Sequence, residues 1–436
     1  MRTQHPGMNL KGWLQAALAV ALLATLAACG GGGDGDSGSS GSGNSSSLLN
    51  GGSLPPSPSQ QPIGATAANT TPITVGQGTN GVINIPTVSV KICAPGSTSN
   101  CQTINNIQLD TGSFGLRVVG SQLNASVLGA LPVSSVNGAQ LAECATFADG
   151  YTWGTVRTAT IAIGGETTTA AIPLQIIGDK DASTVPSRGC GNGSAENTVG
   201  DLGANGILGI GTAPFDCGAT CADPTTAATY SNYFACPGGT SCTRTAVPLT
   251  QQVANPVANF AVNNNGVIVQ MPPVPDAGAP SANGTLVFGV GTQANNALAA
   301  TQVFTTDAFG DMNDSTFNGT TVQAFLDSGS NGYFFTDSSL ALCGSNFSGF
   351  YCPNSAQTRS ITLVGLNKTT ASVSIGIVSA ATLFGNGNNN YAFNNLAGQI
   401  GGSTSFDLGL PFFYGRHVYY GIDRTLSGGQ APYVAF

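Results

Sequence analysis

Charged residues are scarce in this chain of 436 residues. Only 7% of the residues are Asp, Glu, Lys or Arg, whereas soluble proteins average about 25%. Acids outnumber bases by 20 to 12, and no run of basic residues occurs. Binding to nucleic acid needs a basic patch that neutralises phosphates, so we expect no nucleic-acid partner. Gly, Ser, Thr and Asn take the place of charge, and this composition favours many short strands joined by turns.

Histidine is nearly absent, and common catalytic motifs are missing. Only His417 lies outside the N-terminal segment described next. A single histidine cannot form a histidine metal cluster, so we expect no metal site of this kind. The chain has no G-x-S-x-G turn for a catalytic serine and no phosphate-binding loop that ends in Gly-Lys-Ser/Thr. The carboxylates therefore remain as the candidate catalytic groups.

The N-terminus has the pattern of an export signal over residues 1–28. Arg2 and Lys11 precede the apolar run LQAALAVALLATLAA, which is too short for a membrane-spanning helix. The run ends in L-A-A followed by Cys29, which resembles a bacterial lipobox. This resemblance implies cleavage before Cys29 and lipidation of its thiol. The alternative is an ordinary cleavage site that happens to precede a cysteine.

A Gly/Ser/Pro-rich stretch at 29–71 predicts a flexible tether between this anchor and the folded body. Gly30 directly after the cysteine favours the outer membrane of a Gram-negative bacterium, by analogy with enteric sorting. We therefore expect an exported protein that is lipid-anchored there and faces the periplasm or the cell surface.

Ten further cysteines follow Cys29, and an even number in an exported chain indicates disulfides. Sequence does not fix their pairing, and the four between residues 217 and 242 allow cross-pairing or, as an alternative, a zinc site. Their spacing is not that of C-x-x-C pairs, and we favour disulfides. We expect residues 212–245, which carry these four, to form a surface loop. The cysteines that lie close in sequence are Cys93 and Cys101, Cys144 and Cys190, Cys217 and Cys221, Cys236 and Cys242, and Cys343 and Cys352.

One four-residue phrase occurs twice between apolar strands. Asp110-Thr111-Gly112-Ser113 lies in INNIQLDTGSFGLRVV, and Asp327-Ser328-Gly329-Ser330 lies in TTVQAFLDSGSNGYFF. A third copy at 36–39 lies in the Gly/Ser tether without flanking strands, so the phrase alone is weak and its context carries the interpretation. We predict that the turns at 110 and 327 meet and hold one water between two carboxylates.

Two adjacent carboxyl groups can hydrolyse a peptide bond without histidine or metal. Like charges in close contact cannot both ionise, so the pair shares one proton. The ionised member takes a proton from water, and the protonated member polarises the carbonyl. We expect Gly112 and Gly329 to allow tight turns. We also expect the hydroxyls of Ser113 and Ser330 to donate to the carboxylates and to favour their charged forms, which suits acidic conditions.

The order of these motifs resembles that of the pepsin-like aspartic peptidases. The matching segments run from about 75 to the C-terminus and comprise the first acid turn, a flap-like FADGYTWGTVRTATIAIGG, the supporting turn NGILG at 205–209, NGTLVFG, the second acid turn, and FDLGLPFFYGRHVYYGID. The chain also resembles an uncharacterised family of proteobacterial lipoproteins. Each match is weak alone, but together they are specific.

This resemblance implies an all-β, two-lobed fold with one acid turn per lobe. We place the N-terminal lobe at 72–255 and the C-terminal lobe at 256–436. Asp110 and Asp327 would be the catalytic pair, with Thr111 and Ser328 reaching across to the opposite loop. No cofactor would be needed, and we expect a monomer that acts on a peptide or protein substrate.

Several positions depart from the family pattern. The flap tyrosine is matched by Phe147, and the tryptophan that usually partners its hydroxyl is matched by Arg117. The flap segment continues through Asp149 and Gly150, and Tyr151 or Trp153 could supply a replacement cover.

A second departure lies in the C-terminal supporting turn, where Asp407 stands at a position usually held by an apolar residue. We interpret Asp407 as a turn cap that faces solvent, the alternative being a third acid that disturbs the pair. Since both acids of the pair are present, we favour an aspartic endopeptidase. The alternative is an inactive pepsin-like lipoprotein that binds peptides or proteins.

Overall fold

The computed structural model describes residues 48–190, 193–385, 389–402 and 404–436. The predicted signal peptide at 1–28, the lipidation site at Cys29 and the first part of the tether lie outside the described residues. Within the described part of the chain, no helix has the length and apolar character needed to cross a membrane.

Strands dominate the fold, because short apolar segments alternate with turn-forming residues. Before residue 260 the strands are β1 (Thr70–Val75), β2 (Pro86–Cys93), β3 (Cys101–Asp110), β4 (Phe114–Val119), β5 (Ser135–Val136), β6 (Ala139–Thr146), β7 (Gly150–Ile163), β8 (Glu166–Thr167), β9 (Ile172–Ile177), β10 (Ser194–Ala195), β11 (Gly206–Ile210), β12 (Tyr233–Cys236) and β13 (Thr243–Arg244). The predicted strand TATIAI at 158–163 is confirmed, and its residues alternate between half-buried and buried.

The remaining strands follow residue 260. They are β14 (Gly266–Gln270), β15 (Ala282–Phe288), β16 (Val303–Thr305), β17 (Met312–Phe317), β18 (Thr320–Asp327), β19 (Tyr333–Phe335), β20 (Gln357–Val364), β21 (Thr370–Ile377), β22 (Ala397–Gly398), β23 (Ser405–Gly409), β24 (His417–Gly421) and β25 (Tyr433–Ala435). Short α-helices connect some of them: α1 (Ala125–Ala130), α2 (Val199–Leu202), α3 (Ala219–Ala222), α4 (Pro224–Tyr230) and α5 (Ala380–Gly385).

Hydrogen bonds join the described strands into two sheets, one of 18 strands and one of seven. The seven-stranded sheet comprises β17 to β23 and belongs to the C-terminal lobe. The larger sheet contains the N-terminal lobe together with a connecting layer in which β1, β15, β14, β24, β25 and β16 pair antiparallel in that order. The expected all-β, two-lobed architecture is confirmed.

The two lobes repeat the same local topology. In the N-terminal lobe β11 lies between β3, to which it is parallel, and β4, to which it is antiparallel. In the C-terminal lobe β23 lies in the same way between β18 and β19. Register places Gly209 opposite Asp110 and Gly409 opposite Asp327. Each acid therefore stands at the end of a central strand, with a supporting glycine beside it.

The last part of the expected tether packs against the C-terminal lobe. The Ala356 N–H donates to the Leu49 carbonyl at 3.0 Å, and the Gln60 N–H donates to the Gly415 carbonyl at 2.9 Å. Leu48, Leu49 and Leu54 contact a small apolar cluster of that lobe. Apolar leucines within the polar stretch explain this contact, since they gain by leaving water. Residues from 48 onward are thus part of the folded body in the structure.

The insertion at 212–245 is not a simple surface loop. Its strand β12 pairs antiparallel with β6, with Tyr233 opposite Glu143. Tyr233 and Phe234 are buried, so the insertion adds an apolar layer behind β6. Its cysteines pair locally as Cys217–Cys221 and Cys236–Cys242. The other disulfides are Cys93–Cys101, Cys144–Cys190 and Cys343–Cys352.

Candidate active site

The two acid turns have the same internal geometry. The Gly112 N–H donates to Asp110 Oδ1 at 2.8 Å, and the Gly329 N–H donates to Asp327 Oδ1 at 2.8 Å. Each carboxylate is thus oriented by the amide two residues later, which leaves its Oδ2 for other partners. Asp110 is the last residue of β3 and Asp327 is the last residue of β18, so the ends of two paired strands hold both turns in place.

A reciprocal set of hydrogen bonds joins the two turns across the lobes. The Ser328 N–H donates to Thr111 Oγ1 at 2.8 Å, and the Thr111 N–H donates to Ser328 Oγ at 3.2 Å. The hydroxyl of Ser328 donates to the Leu109 carbonyl at 2.8 Å, and that of Thr111 donates to the Leu326 carbonyl at 3.3 Å. Both side chains are buried. Buried hydrogen bonds of this kind fix one turn relative to the other.

The carboxyl groups of Asp110 and Asp327 lie in contact and share a side-chain hydrogen bond. A methyl group added to Gly112 would lie 2.5 Å from Asp327 Cγ, and one added to Gly329 would lie 2.7 Å from Asp110 Oδ1. These distances leave no room for a larger residue at either glycine. The structure therefore brings both predicted acids and both predicted glycines into one site.

Burial and the neighbouring acid decide the protonation of this pair. Desolvation, followed by the charge of Asp327, raises the pKa of Asp110 from 3.8 to about 7, although the hydrogen bond from the Ser113 hydroxyl lowers it. The effect of Ser113 is thus outweighed. Because two coupled acids titrate as a pair, the site retains one shared proton up to about neutral pH. Burial therefore opposes the lower pKa that the serine hydroxyls alone would give to the pair.

Asp407 is not a solvent-facing cap, and this interpretation was wrong. Its residue is only 4% exposed. The Ser330 hydroxyl lies 2.6 Å from Asp407 Oδ2 and 3.1 Å from Asp327 Oδ2. Asp407 precedes Gly409 by two residues on β23, and alternate residues of a strand face the same side. This spacing was the signal in the sequence that Asp407 faces the acid turn.

Arg117 is the centre of a buried ionic cluster behind the flap strand. Its guanidinium lies 2.5 Å from Glu143 Oε1 and 3.0 Å from Asp216 Oδ2, and none of the three side chains is exposed. The Tyr233 hydroxyl donates to Asp216 Oδ1 at 2.5 Å. Burial, followed by the charge of Glu143, raises the pKa of Asp216 well above its usual value. Sequence reasoning missed Glu143, Asp216 and Tyr233, because they come from separate segments.

Phe147 occupies the position expected for the flap residue. It packs beside Phe114, Ala145 and Phe309, and the Arg117 guanidinium lies 5.9 Å from its ring centroid. The Phe147 N–H donates to the Gly150 carbonyl at 2.8 Å, which closes the turn between β6 and β7. The two departures from the family pattern, Phe147 and Arg117, therefore meet in the structure.

Trp153 does not supply a cover over the site. It is fully buried and stacks edge-on against Phe234, with ring centroids 5.6 Å apart. Its indole N–H donates to Thr184 Oγ1 at 3.0 Å. Tyr151 is half-buried and packs against the same cluster, near the Cys144–Cys190 disulfide. Of these two residues, the structure excludes Trp153 as a cover.

A second pair of carboxyl groups lies at the flap turn. Asp149 is hydrogen-bonded to Glu196, which directly follows β10. Burial and then the charge of Asp149 raise the pKa of Glu196 to about 9. The Glu196 N–H also donates to the Tyr151 carbonyl at 2.8 Å. These contacts attach one side of the flap to β10.

The residues present are suited to acid–base chemistry with a shared proton. Within the described ranges, no group of three or more His, Cys, Asp or Glu side chains is arranged to hold a metal ion. The four cysteines considered for zinc are in disulfides. A carboxyl pair with one proton can both activate water and polarise a carbonyl.

The comparison with solved structures supports the fold. The crystal structure of an aspartic proteinase from Irpex lacteus matches with a TM-score of 0.50 and 15% sequence identity, over 85% of this chain and 97% of that chain. This similarity shows a pepsin-like fold. No curated protein matches the chain. Residues 65–436 match the model of the family described as "Protein of unknown function (DUF3443)", and the chain belongs to that family.

Proposed function

We propose that this protein is an aspartic endopeptidase. The observation that carries the proposal is the carboxyl pair of Asp110 and Asp327, hydrogen-bonded to each other and fixed by the reciprocal bonds of Thr111 and Ser328. An accidental pair of buried acids would not need two matched turns from two lobes. The position of each acid at the end of a central strand favours a preorganised site.

In the proposed reaction, the ionised carboxylate takes a proton from a water whose oxygen attacks the peptide carbonyl carbon. The protonated carboxyl donates to the carbonyl oxygen. The resulting tetrahedral intermediate then collapses, the C–N bond breaks, and the leaving nitrogen receives a proton from the pair. The flap turn at Phe147 closes one side of the peptide, and no external group is consumed.

Cleavage of a mixed peptide library between about pH 3 and about pH 8 tests this proposal. Asp110→Asn and Asp327→Asn are each expected to abolish cleavage while circular dichroism shows an unchanged fold. Asp314→Asn is the matched control, because Asp314 is an exposed carboxylate paired with Lys368, and its cleavage rate should equal that of the unmodified protein. Inhibition by a statine-type mimic should follow the same pattern.

The alternative is a non-catalytic protein that binds peptides in the cleft. This alternative is supported if the unmodified protein cleaves no peptide at any pH but binds the statine-type mimic. If the unmodified protein neither cleaves a peptide nor binds the mimic, both proposed functions are contradicted.

We further propose that Cys29 carries a lipid that anchors the exported protein to the outer membrane. The support is the sequence pattern L-A-A-C followed by a Gly/Ser stretch. Metabolic labelling with a radioactive fatty acid should mark the protein, and Cys29→Ala should prevent labelling and release the protein from the membrane fraction. Equal labelling of both forms would contradict the anchor.

A further inference from the structure

The hydroxyl of Ser330 faces two carboxylates but has only one proton to donate. Its oxygen lies 2.6 Å from Asp407 Oδ2 and 3.1 Å from Asp327 Oδ2. Bonds from a hydroxyl to an ionised carboxylate are about 2.5–2.7 Å long, so the shorter contact is the donated bond. Ser330 then has no proton left to donate to Asp327.

The equivalent serine of the other lobe has a different role. The Ser113 hydroxyl donates to Asp110 Oδ2, and this bond lowers the pKa of Asp110. Thus Ser113 donates its hydrogen bond to the aspartate of its own turn, whereas Ser330 donates its hydrogen bond to a third acid, Asp407.

This asymmetry arises at one pair of equivalent positions in the two lobes. Gly209 pairs with Asp110 and Gly409 pairs with Asp327, so the residues two positions earlier, Ile207 and Asp407, are equivalent. Both are buried. An isoleucine cannot accept a hydroxyl proton, whereas an aspartate can.

We propose that Asp407 is a positioning residue of the acid pair, which acts as an ionised acceptor of the Ser330 proton. Ser330 then does not donate to Asp327, so Asp327 lacks the hydroxyl bond that Ser113 gives to Asp110, and the hydroxyl on this side of the pair does not favour loss of the shared proton. The negative charge of Asp407 also favours retention of that proton towards neutral pH. This inference rests on the proposed function for its catalytic consequence, but not for the titration itself.

The groups packed around Asp407 are consistent with this charge arrangement. β3 contributes Asp110, β18 contributes Asp327, and β24 contributes Tyr420, whose hydroxyl donates to the Leu326 carbonyl at 2.9 Å. Burial raises the pKa of Tyr420 well above its usual value and that of Tyr333 on β19 to about 12, so both phenols stay neutral.

Arg416 is a cation near this region. Its charge acts on Tyr333, and its guanidinium lies 4.2 Å from the Phe412 ring centroid. Arg416 is unchanged in every variant described below, so it contributes equally to each comparison.

Two serine variants with the same chemical change provide the sharpest test. Ser113→Ala removes a donor from ionised Asp110, so the alkaline limb of the pH–cleavage profile should move to higher pH. Ser330→Ala removes no donor from the pair, because the Ser330 proton goes to Asp407, so the limb should not move to higher pH. A shift of both variants in the same direction would overturn the inference.

Asp407→Asn supplies the second arm. It keeps the shape of the side chain but removes the charge, and its amide can donate to Ser330 and so redirect the serine proton to Asp327. The alkaline limb should move to lower pH by about one unit, whereas Asp314→Asn should leave it unchanged. An unchanged limb in a folded Asp407→Asn protein would overturn the inference, because a purely structural role would alter rate or stability without moving the limb.

Titration of the carboxyl groups separates this inference from the proposed function. Nuclear magnetic resonance of the full chain with ¹³C-labelled aspartate carboxyls reports the titration of the pair without any substrate. Asp407→Asn should lower the pH at which the shared proton is lost, and Ser330→Ala should not raise it. If these shifts occur in a protein that cleaves no peptide, the peptidase proposal fails and the role of Asp407 stands. If cleavage occurs but no variant shifts the titration, the peptidase proposal stands and the proposed role of Asp407 fails.

Discussion

Replacing Asp110 by asparagine is expected to stabilise the fold at neutral pH while it abolishes cleavage. Asp110 is 7% exposed and is in contact with a second carboxyl group. Asparagine keeps the shape and an acceptor oxygen for the Gly112 N–H, but it carries no charge at any pH. In the unmodified protein, Asp110 is therefore expected to destabilise the fold more strongly as a larger fraction of it becomes ionised.

The sign and size of the effect follow from the pKa. The folded protein holds the Asp110 proton up to about pH 7, whereas an ordinary aspartate releases it near 3.8. The folded state therefore binds more protons between these values, and its stability falls as the pH rises through them. At about 1.4 kcal/mol per pKa unit, the full effect is about 4 kcal/mol. Because the pair shares the proton, we expect the free energy of unfolding of Asp110→Asn to exceed that of the unmodified protein by an amount that grows with pH. The difference should be small at about pH 4 and reach about 2 to 4 kcal/mol at about pH 8.

Urea unfolding under non-reducing conditions at several pH values measures this difference. Asp314→Asn serves as control, because its exposed pair with Lys368 should contribute less than about 1 kcal/mol at any pH. Parallel stability curves for Asp110→Asn and the unmodified protein, within about 1 kcal/mol, would refute the reasoning that burial and a second acid raise this pKa.

Three further changes test the surroundings of the pair. Thr111→Val removes the hydroxyl that joins the turns across the lobes, and it should cost about 1–3 kcal/mol in urea unfolding and slow cleavage; an unchanged stability would show that the reciprocal bonds do not hold the turns together. Arg117→Met leaves Glu143 and Asp216 buried without their cation, and it should cost about 3–5 kcal/mol. A neutral result in the same assay would mean that this cluster contributes nothing to stability. Glu196→Gln should raise the melting temperature at about pH 8 more than at about pH 5, since the folded protein retains a proton up to about pH 9 that the unfolded chain loses near 4.5; equal gains at both values would contradict a shared proton at the flap.

The sequence was sufficient for the strand content and for the turns that carry the acids. The composition and the period-two alternation at 158–163 predict strands through local patterns, and the structure has strands there. Each Asp-x-Gly-Ser turn is likewise a local feature, because the glycine two residues after the acid supplies the amide that orients it. The pairing of Asp110 with Asp327 was predicted from the repeated phrase between apolar strands, and the resemblance to a two-lobed family implied the same pair.

Only the tertiary structure decided which side chains surround these turns. Arg117, Glu143 and Asp216 lie on separate segments, and the cluster exists because β6 lies between β7 and the insertion strand β12. Burial of Trp153 depends on the same insertion, through Phe234. No local pattern fixes such contacts, since they depend on how distant strands pair.

Asp407 shows the boundary between the two kinds of information. Its sequence position, two residues before a supporting glycine, is local and could have indicated which way it faces. Its role depends on the 2.6 Å contact with Ser330, which is 77 residues away in the chain. The sequence by itself determined which acids and hydroxyls are available. The fold alone decided where the single proton of Ser330 goes, because that depends on distances between strands which the chain brings together only when it is folded.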